Sequence, residues 1–288
     1  MTDDPFITHR SLLFTVAYEM LGSAADAEDV VQESWLRWAD VDQTEVRDPR
    51  AYLVRMVTRQ ALNRLRTVAR QREEYVGPWL PEPLLTTPDV AEDVELAESV
   101  SIALLTVLET LGPAERAVFV LREVFETPYH EIADVMDKTP AAVRQIGHRA
   151  REHVAMRRPR MQVDHAQQKA VVETFLAALT TGDMQGLLEV LAPDVVVISD
   201  GGGLAPANRK PVVGAEKVAA FLAYAASSGP DFKVSPIWLN GMPGARIEHD
   251  GVVAAASLVV EDGRVTRIYA ISNPHKLEWL DKVAELRR

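Results

Sequence analysis

The stretch HEIADVMDKTPAAVRQIGHRARE, residues 130–152, carries the clearest structural signal in this sequence. Its middle, residues 137–140, combines an aspartate with a proline and interrupts two helical patterns with a tight turn. Two short helices joined in this way form a helix-turn-helix, because each carries an apolar stripe that packs inward. The predicted inward positions are Ile132, Ala133, Val135, Val143 and Ile146.

The outward face of the second predicted helix is polar and cationic. It carries Arg144, Gln145, His148, Arg149 and Arg151. These side-chain types reach base edges and phosphates when a helix lies in a major groove. A purely structural helical hairpin has the same spacing, but the cationic second helix favours DNA binding.

Charge is distributed unevenly along the chain. The formal net charge is -11, yet residues 47–72 carry eight arginines and one aspartate, and residues 138–160 carry seven basic residues and one glutamate. Two basic islands in an acidic protein suit local contact with phosphates, since salt limits useful attraction to about 8 Å. Two solvated helix faces would show the same charges, so charge alone leaves both interpretations open.

Composition narrows the function classes further. The chain has no cysteine, which excludes disulfides and thiolate metal sites, and we expect neither a metal nor a cofactor. The N-terminal MTDDPFITHR lacks the cationic start and apolar core of a secretion signal. No apolar run approaches the roughly 18 to 20 residues of a membrane span. We therefore expect a soluble cytoplasmic protein with no membrane partner.

The patterning predicts a multidomain protein in four parts. Residues 1–72 show three amphipathic helices, and residues 73–95 form a proline-rich linker in which helix is disfavoured. Residues 96–160 are again helical and include the helix-turn-helix. Residues 165–288 begin with helices and continue with strand-like runs, which predicts an α+β domain with a curved antiparallel sheet.

Three segments resemble a known family. DAEDVVQESWLRW (26–38), RDPRAYLVRMVTRQALNRLR (47–66) and the stretch at 111–152 resemble regions 2 and 4 of a bacterial extracytoplasmic-function sigma factor, both all-α modules. The remaining chain resembles a SnoaL-like domain, a cone-shaped member of the nuclear transport factor 2-like class. Sigma factors with this appendage, the SigJ-like group, show three signatures, found here at residues 79–83, 200–203 and 273–277. The third carries His275 where an aspartate is usual.

The resemblance implies core RNA polymerase and promoter DNA as partners. It implies that the polymerase is bound by Asp26, Glu28, Asp29, Gln32 and Glu33. It places the minus-10 contact at Arg55, Arg59, Asn63 and Arg66, and the minus-35 contact at Arg144, Gln145, His148 and Arg149.

The linker contains Trp79 and Leu80, which are costly to leave in water. We hypothesise that it docks on the C-terminal domain when polymerase is absent; the alternative is a linker whose tryptophan packs on its own neighbours. The predicted regulatory interface comprises Trp79, Leu80, Pro81, Glu82, Pro83, Asp200, Gly201, Gly202, Gly203, Asn273, Pro274, Lys276 and Leu277.

Other functions remain open for the C-terminal domain. SnoaL-like folds commonly enclose an apolar pocket, so a small-molecule ligand is a further candidate partner. A ligand-responsive helix-turn-helix repressor is the second interpretation, and it would bind duplex DNA without polymerase. A stand-alone cyclase or isomerase is the third, with Asp200, His249 and Asp250 as candidate proton-transfer groups near Tyr269 and Trp238. The first module favours a sigma factor that is not itself an enzyme.

Overall fold

The computed structural model describes residues 4–72, 74–157, 165–227 and 231–288. The chain divides into two compact units. The first comprises Met1–Glu74, Leu105–Arg158 and Glu285–Arg288, and the second comprises Tyr75–Leu104 and Pro159–Ala284. From Tyr75 onward the predicted linker therefore belongs to the unit that contains the C-terminal domain, while Glu74 belongs to the first unit and residue 73 lies outside the described residues.

The first unit begins with three helices, α1 (Pro5–Leu21), α2 (Ala24–Ala39) and α3 (Pro49–Arg72). Local chemistry sets their ends. The carboxylate of Asp4 accepts a hydrogen bond from the Phe6 amide at 2.8 Å, and Gly22 ends α1 with φ of 66°. The hydroxyl of Ser23 then accepts the Asp26 amide and caps α2.

The helix-turn-helix is present as predicted, in helices α7 (Tyr129–Met136) and α8 (Pro140–Ala155). It follows α4 (Val94–Val100), α5 (Ile102–Leu108) and α6 (Pro113–Phe119). A π-helical turn, Val120–Val124, extends α6. Asp137 ends α7 in the left-handed region with φ of 51°, and the hydroxyl of Thr139 accepts the Ala142 amide at 3.2 Å to cap α8. All five predicted inward residues are buried.

The second unit contains one six-stranded sheet and helices α9 (His165–Thr181), α10 (Met184–Val190) and α11 (Ala215–Ser227). The strands are β1 (Leu191–Asp200), β2 (Val212–Val213), β3 (Lys233–Leu239), β4 (Met242–His249), β5 (Val252–Glu261) and β6 (Arg264–Ile271), in the order β2-β1-β6-β5-β4-β3. The three helices pack on one face of the sheet, where Phe175, Leu179, Val218 and Leu258 are buried.

The expected antiparallel sheet is instead mixed. Four of the five strand pairings are antiparallel, but β1 pairs with β6 in parallel. Strands β3 to β6 follow one another through tight turns, which force antiparallel neighbours, whereas β1 reaches β6 through a long connection that includes α11. Strand β2 has only two residues, too few to show an alternating pattern.

Candidate functional site

The linker covers the face of the sheet opposite to α9, α10 and α11. Successive side chains of a strand point to opposite faces, so Val259 and Tyr269 face away from the helices. Leu80 of the linker and Ile102 of α5 pack against these two side chains, and Leu80 is fully buried. Full burial of a leucine stabilises docking by about 1.5 to 3 kcal/mol. The linker tract is therefore an integral layer of the second unit.

Asp200 at the end of β1 forms the first polar anchor of the linker. Its Oδ2 accepts the Leu80 amide at 2.8 Å and the Lys276 ammonium at 2.7 Å. Its Oδ1 accepts the Tyr75 hydroxyl at 2.5 Å and the Gly202 amide at 3.1 Å. The side chain is inaccessible to solvent, and its charge is balanced by one buried ammonium and three further donors.

Lys276 joins the C-terminal segment to the same anchor. Its Nζ also donates to the Leu80 carbonyl at 2.5 Å and lies 3.3 Å from the ring centroid of Trp79. A desolvated cation over an indole face is a favourable cation–π contact. Tyr75 packs edge-on against Trp79, and burial, with the hydrogen bond to Asp200 as a second cause, raises the pKa of its hydroxyl.

The glycines after Asp200 make this close approach possible. Gly202 has φ of 59°, and a Cβ at this position would collide with the side-chain amide of Asn273 and lie 2.9 Å from the Tyr75 hydroxyl. The Asn273 amide donates to that hydroxyl at 2.8 Å. The three sequence signatures therefore meet at one place, and Tyr75 is a participant that the sequence did not single out.

The other predicted interface residues surround this anchor to different degrees. Pro81, Glu82, Pro83 and Gly201 are buried, Leu277 is half-buried against the apolar clusters, and Gly203 contacts Val76. Pro274 is exposed. His275 is exposed as well, and its Nδ1 lies 3.7 Å from the carboxylate of Glu278, so the residue that departs from the usual signature faces solvent.

A second anchor, which the sequence prediction missed, lies in the turn between β3 and β4. Asn240 is fully buried, and its side-chain oxygen accepts the Leu84 amide at 2.9 Å while its side-chain nitrogen donates to the Val100 carbonyl at 2.8 Å. Its main-chain amide donates to the Leu84 carbonyl, and the next amide, of Gly241, donates to Thr86 Oγ1 at 3.0 Å. The Asn-Gly dipeptide signals a hairpin turn, but nothing local signals these distant partners.

The linker also extends the sheet at this point. Strand β3 is the last in the strand order, and the Thr86 amide donates to the Trp238 carbonyl of β3 at 3.0 Å. Leu85 forms an antiparallel bridge with Leu239 and a parallel bridge with Val283. The Ala284 amide donates to the Leu85 carbonyl at 2.8 Å. Linker residues 84–86 therefore have hydrogen-bonded neighbours on both sides.

The predicted minus-35 residues lie on the solvent side of α8. Arg144, Gln145, His148 and Arg149 are all exposed. Arg149 lies 3.5 Å from a carboxylate oxygen of Glu115, a weak surface pair. Behind this face, Gly147 packs closely on α7, since a Cβ there would lie 3.3 Å from the Tyr129 hydroxyl. The exposed row is thus presented by a tightly packed helix pair.

The predicted minus-10 residues lie along α3. Arg59 is exposed, but its guanidinium donates to the Asp134 carbonyl at 2.9 Å and to the Val135 carbonyl at 3.4 Å. These carbonyls belong to the last turn of α7, where the helix dipole favours a cation. Arg55 is half-buried, while Asn63 and Arg66 are exposed and contact each other at 3.4 Å.

The predicted polymerase-binding residues lie on α2, and several are paired within the chain. Arg64 of α3 bonds Asp26 at 2.8 Å and Asp29 at 3.3 Å, and the Asp26 hydrogen bond raises the arginine pKa. Glu28 accepts from Arg10 at 2.5 Å and from Gln32 at 3.3 Å, while Glu33 is exposed. These pairs are at the surface and contribute little to stability.

The candidate proton-transfer groups differ in their accessibility to solvent. Asp200 is occluded by the linker, and His249 is a half-buried residue 3.4 Å from its neighbour Asp250. Within the described residues, no cluster of three potential metal ligands is found. None of the helices in the described ranges combines the length and apolar character required to cross a membrane.

Comparison with protein families identifies three matches along the chain. Sigma-70 region 2 matches residues 6–71, and Sigma-70 region 4 matches residues 101–154. A SnoaL-like domain matches residues 172–268. The unmatched residues 72–100 contain most of the docked linker.

Two curated relatives and one solved structure are similar over nearly the whole chain. The chain is 38% identical to "ECF RNA polymerase sigma factor SigJ" of Mycobacterium tuberculosis (strain ATCC 25618 / H37Rv), over 93% of this chain and 90% of that protein. It is 31% identical to "Probable ECF RNA polymerase sigma factor SigI" of M. tuberculosis (strain CDC 1551 / Oshkosh), over 94% of this chain and 93% of the relative. The crystal structure of M. tuberculosis SigJ superposes with a TM-score of 0.77 at 36% identity and covers 94% of this chain and 96% of that one.

Proposed function

The chain belongs to the extracytoplasmic-function RNA polymerase sigma factors, and from this premise we propose how its parts divide the work of transcription initiation. It is an alternative sigma factor that acts with core RNA polymerase in promoter-specific initiation. We propose that regions 2 and 4 contact the polymerase and the two promoter elements, and that the SnoaL-like domain regulates these contacts by holding the linker. The docked state of the linker carries the regulatory part of this proposal.

Exposed residues of α8 would read the minus-35 element. Arg144 and Gln145 are adjacent on the solvent side of a helix that is fixed from behind by Gly147. Arginine pairs with guanine and glutamine with adenine in the major groove, and each good bidentate contact discriminates by about 1 to 3 kcal/mol. His148 and Arg149 would supply further contacts to bases or phosphates.

Region 2 would use α2 for the polymerase and α3 for the minus-10 element. The carboxylates of Asp26, Asp29 and Glu28 are paired only at the surface, so a basic partner can replace Arg64 and Arg10 at low cost. Asn63 and Arg66 are exposed on α3 and suited to unpaired bases and phosphates. Arg59 would exchange the α7 carbonyls for DNA.

Regulation would work through competition for the linker. A covalently tethered domain meets its target at an effective concentration of about the millimolar scale, so even weak docking maintains one state. Here docking combines the buried Leu80 with the Asp200–Lys276 pair, and it places the half-buried Trp79 ring against the Lys276 ammonium. A polymerase surface that binds the same tract would have to displace these contacts.

The proposal is tested by run-off transcription with sigma-free core polymerase and the promoter upstream of the protein's own gene. Asp200→Asn in the full chain would weaken the anchor, while Asp194→Asn makes the same change at an exposed position of the same strand and serves as its control. Promoter-specific product from the unaltered chain, changed by Asp200→Asn but not by Asp194→Asn, would support both parts. Equal product from all three would remove the regulatory role.

The repressor alternative gives a different result in the same assay. Absence of product, together with tight binding to duplex DNA without polymerase, would overturn the proposed sigma mechanism. The small-molecule ligand remains a prediction. A cavity of about 380 Å³ lies between Leu204, Arg246 and Leu277, and we would look for the ligand there first. Its lining is mainly apolar but includes Ser272 and the Arg246–Asp281 pair.

A further inference from the structure

The two linker anchors differ in chemistry. The Asp200 anchor is an ion pair surrounded by half-buried aromatic rings, Tyr75 and Trp79. The Asn240 anchor is neutral and fully buried. Its side-chain amide bonds the main chain of Leu84 and Val100, its main-chain amide bonds the Leu84 carbonyl, and the neighbouring Gly241 amide bonds the Thr86 hydroxyl. The half-buried rings of Tyr75 and Trp79 offer a competing partner a starting point at the first anchor, whereas the fully buried amide network of the second must be lost as a whole.

Asn240 also forms hydrogen bonds with both ends of the segment 84–100. Its side chain bonds Leu84 at the start and Val100 at the end of residues 84–100. Between these points the segment packs on the adjacent turn residue, because a Cβ on Gly241 would lie 2.8 Å from the Ala97 Cβ and 3.3 Å from Val90. Residues 84–100 therefore form a loop closed by a single side chain. They directly precede residue 101, where region 4 begins.

We propose that the linker is released in two parts: the tract at residues 75–80 leaves the Asp200 anchor when polymerase binds, while Asn240 keeps residues 84–100 attached. This inference rests on the proposed sigma function and extends it. Its consequence is that during initiation the C-terminal domain stays attached to residues 84–100, just before region 4, and releases residues 75–80, which follow region 2. Asn240 is a positioning residue in this scheme, because it is fully buried and acts through Leu84 and Val100.

Two substitutions change the side chain of Asn240 and preserve the turn in which it lies. Asn240 and Gly241 have φ of 53° and 71°, which fits a hairpin turn that asparagine, aspartate and glycine all tolerate. Asn240→Gly keeps this turn and removes both side-chain bonds. Asn240→Asp keeps the acceptor for Leu84 but replaces the donor to Val100 with an oxygen that faces a carbonyl. Asn208→Asp makes the same chemical change in a loop and serves as the control.

Hydrogen exchange measured by mass spectrometry on the full chain, alone and with core polymerase, tests the proposal. Polymerase is expected to speed exchange at the Leu80 amide and to leave the Leu84 and Thr86 amides protected. Without polymerase, Asn240→Gly is expected to speed exchange at Leu84 roughly tenfold or more, since two buried hydrogen bonds are lost. Asn208→Asp is expected to change neither position.

The hydrogen-exchange results distinguish failure of the two-part release from failure of the proposed sigma function. If polymerase makes Leu80 and Leu84 exchange together, or if Asn240→Gly leaves Leu84 as protected as Asn208→Asp does, the two-part release is wrong even when transcription is promoter-specific. If the unaltered chain gives no promoter-specific transcript, the proposed function fails, and the inference fails with it. Retained protection at Leu84 in a complex that transcribes and exposes Leu80 would support both.

Discussion

Replacing Lys276 by methionine tests the energetics of the linker site most directly. The substitution keeps a long apolar side chain but removes the ammonium that bonds both Asp200 and the Leu80 carbonyl. It also removes the cation that lies 3.3 Å from the Trp79 ring centroid. What remains is a buried carboxylate without its counter-ion.

The expected cost follows from the burial of the pair. The side chains of Lys276 and Asp200 are 3% and 0% exposed, and breaking such a pair by removing one partner costs about 3 to 5 kcal/mol. Asp200 keeps three donors, from Leu80, Tyr75 and Gly202, so the lower end applies. About 3 kcal/mol shifts the docking equilibrium roughly a hundredfold.

Hydrogen exchange at the Leu80 amide reports this equilibrium, because that amide is held by Asp200 in the docked state. Lys276→Met should raise its exchange rate about a hundredfold if opening is limited by the anchor. Lys282→Met, at an exposed lysine, should change little. The double substitution Asp200→Asn/Lys276→Met should cost less than the two single changes together, since no unpaired charge is left. Equal Leu80 protection in Lys276→Met and Lys282→Met would refute the importance of the pair.

Three further measurements address other parts of the protein. Gly202→Ala should weaken docking by at least about 1 kcal/mol, because φ of 59° is strained for alanine and the added methyl group collides with Asn273. Thermal unfolding of the full chain measures this loss of stability. The Tyr75 hydroxyl should ionise above its ordinary pKa of 10.0, so its contribution to docking is complete below that pH and is lost as pH rises through the raised value. In a phenolate absorbance titration Asp200→Asn should bring the transition closer to 10.0, and an unchanged transition would contradict the contribution of the Asp200 hydrogen bond, the second cause after burial. Arg144→Ala should reduce holoenzyme affinity for the promoter by about 1 to 3 kcal/mol and relax sequence preference at one position, and a uniform loss on all sequences would instead indicate a phosphate contact.

The helical modules could be predicted from the sequence because their signals are local. The turn at residues 137–140, the apolar stripe of α7 and α8 and the caps at Ser23 and Thr139 all act within a few residues. The exposed row on α8 followed from the same periodicity. The roles of these residues in reading DNA remain predictions, since the structure shows their exposure and not their partners.

The sheet itself was predicted, but its parallel strand pairing and the second anchor could not be, because their determinants are distant in sequence. The parallel pairing of β1 with β6 depends on which edge of the sheet the chain returns to, and side-chain patterns do not encode this. Asn240 bonds residues 140 and 156 positions away, and its neighbourhood predicts only a turn. Arg59 was assigned to DNA from the resemblance, and its contact with α7 likewise arises from tertiary packing.

The bridge between Leu85 and Leu239 bears on solubility. An uncovered final strand presents unpaired amides and carbonyls to solution and can recruit another chain, which leads to aggregation. Here the linker occupies that position on β3, and the Val283–Ala284 stretch closes the linker's own free side. A sigma factor that released this part of its linker would expose the unpaired edge of β3 each time it bound polymerase. Keeping residues 84–86 in place lets the protein change partners without becoming prone to self-association.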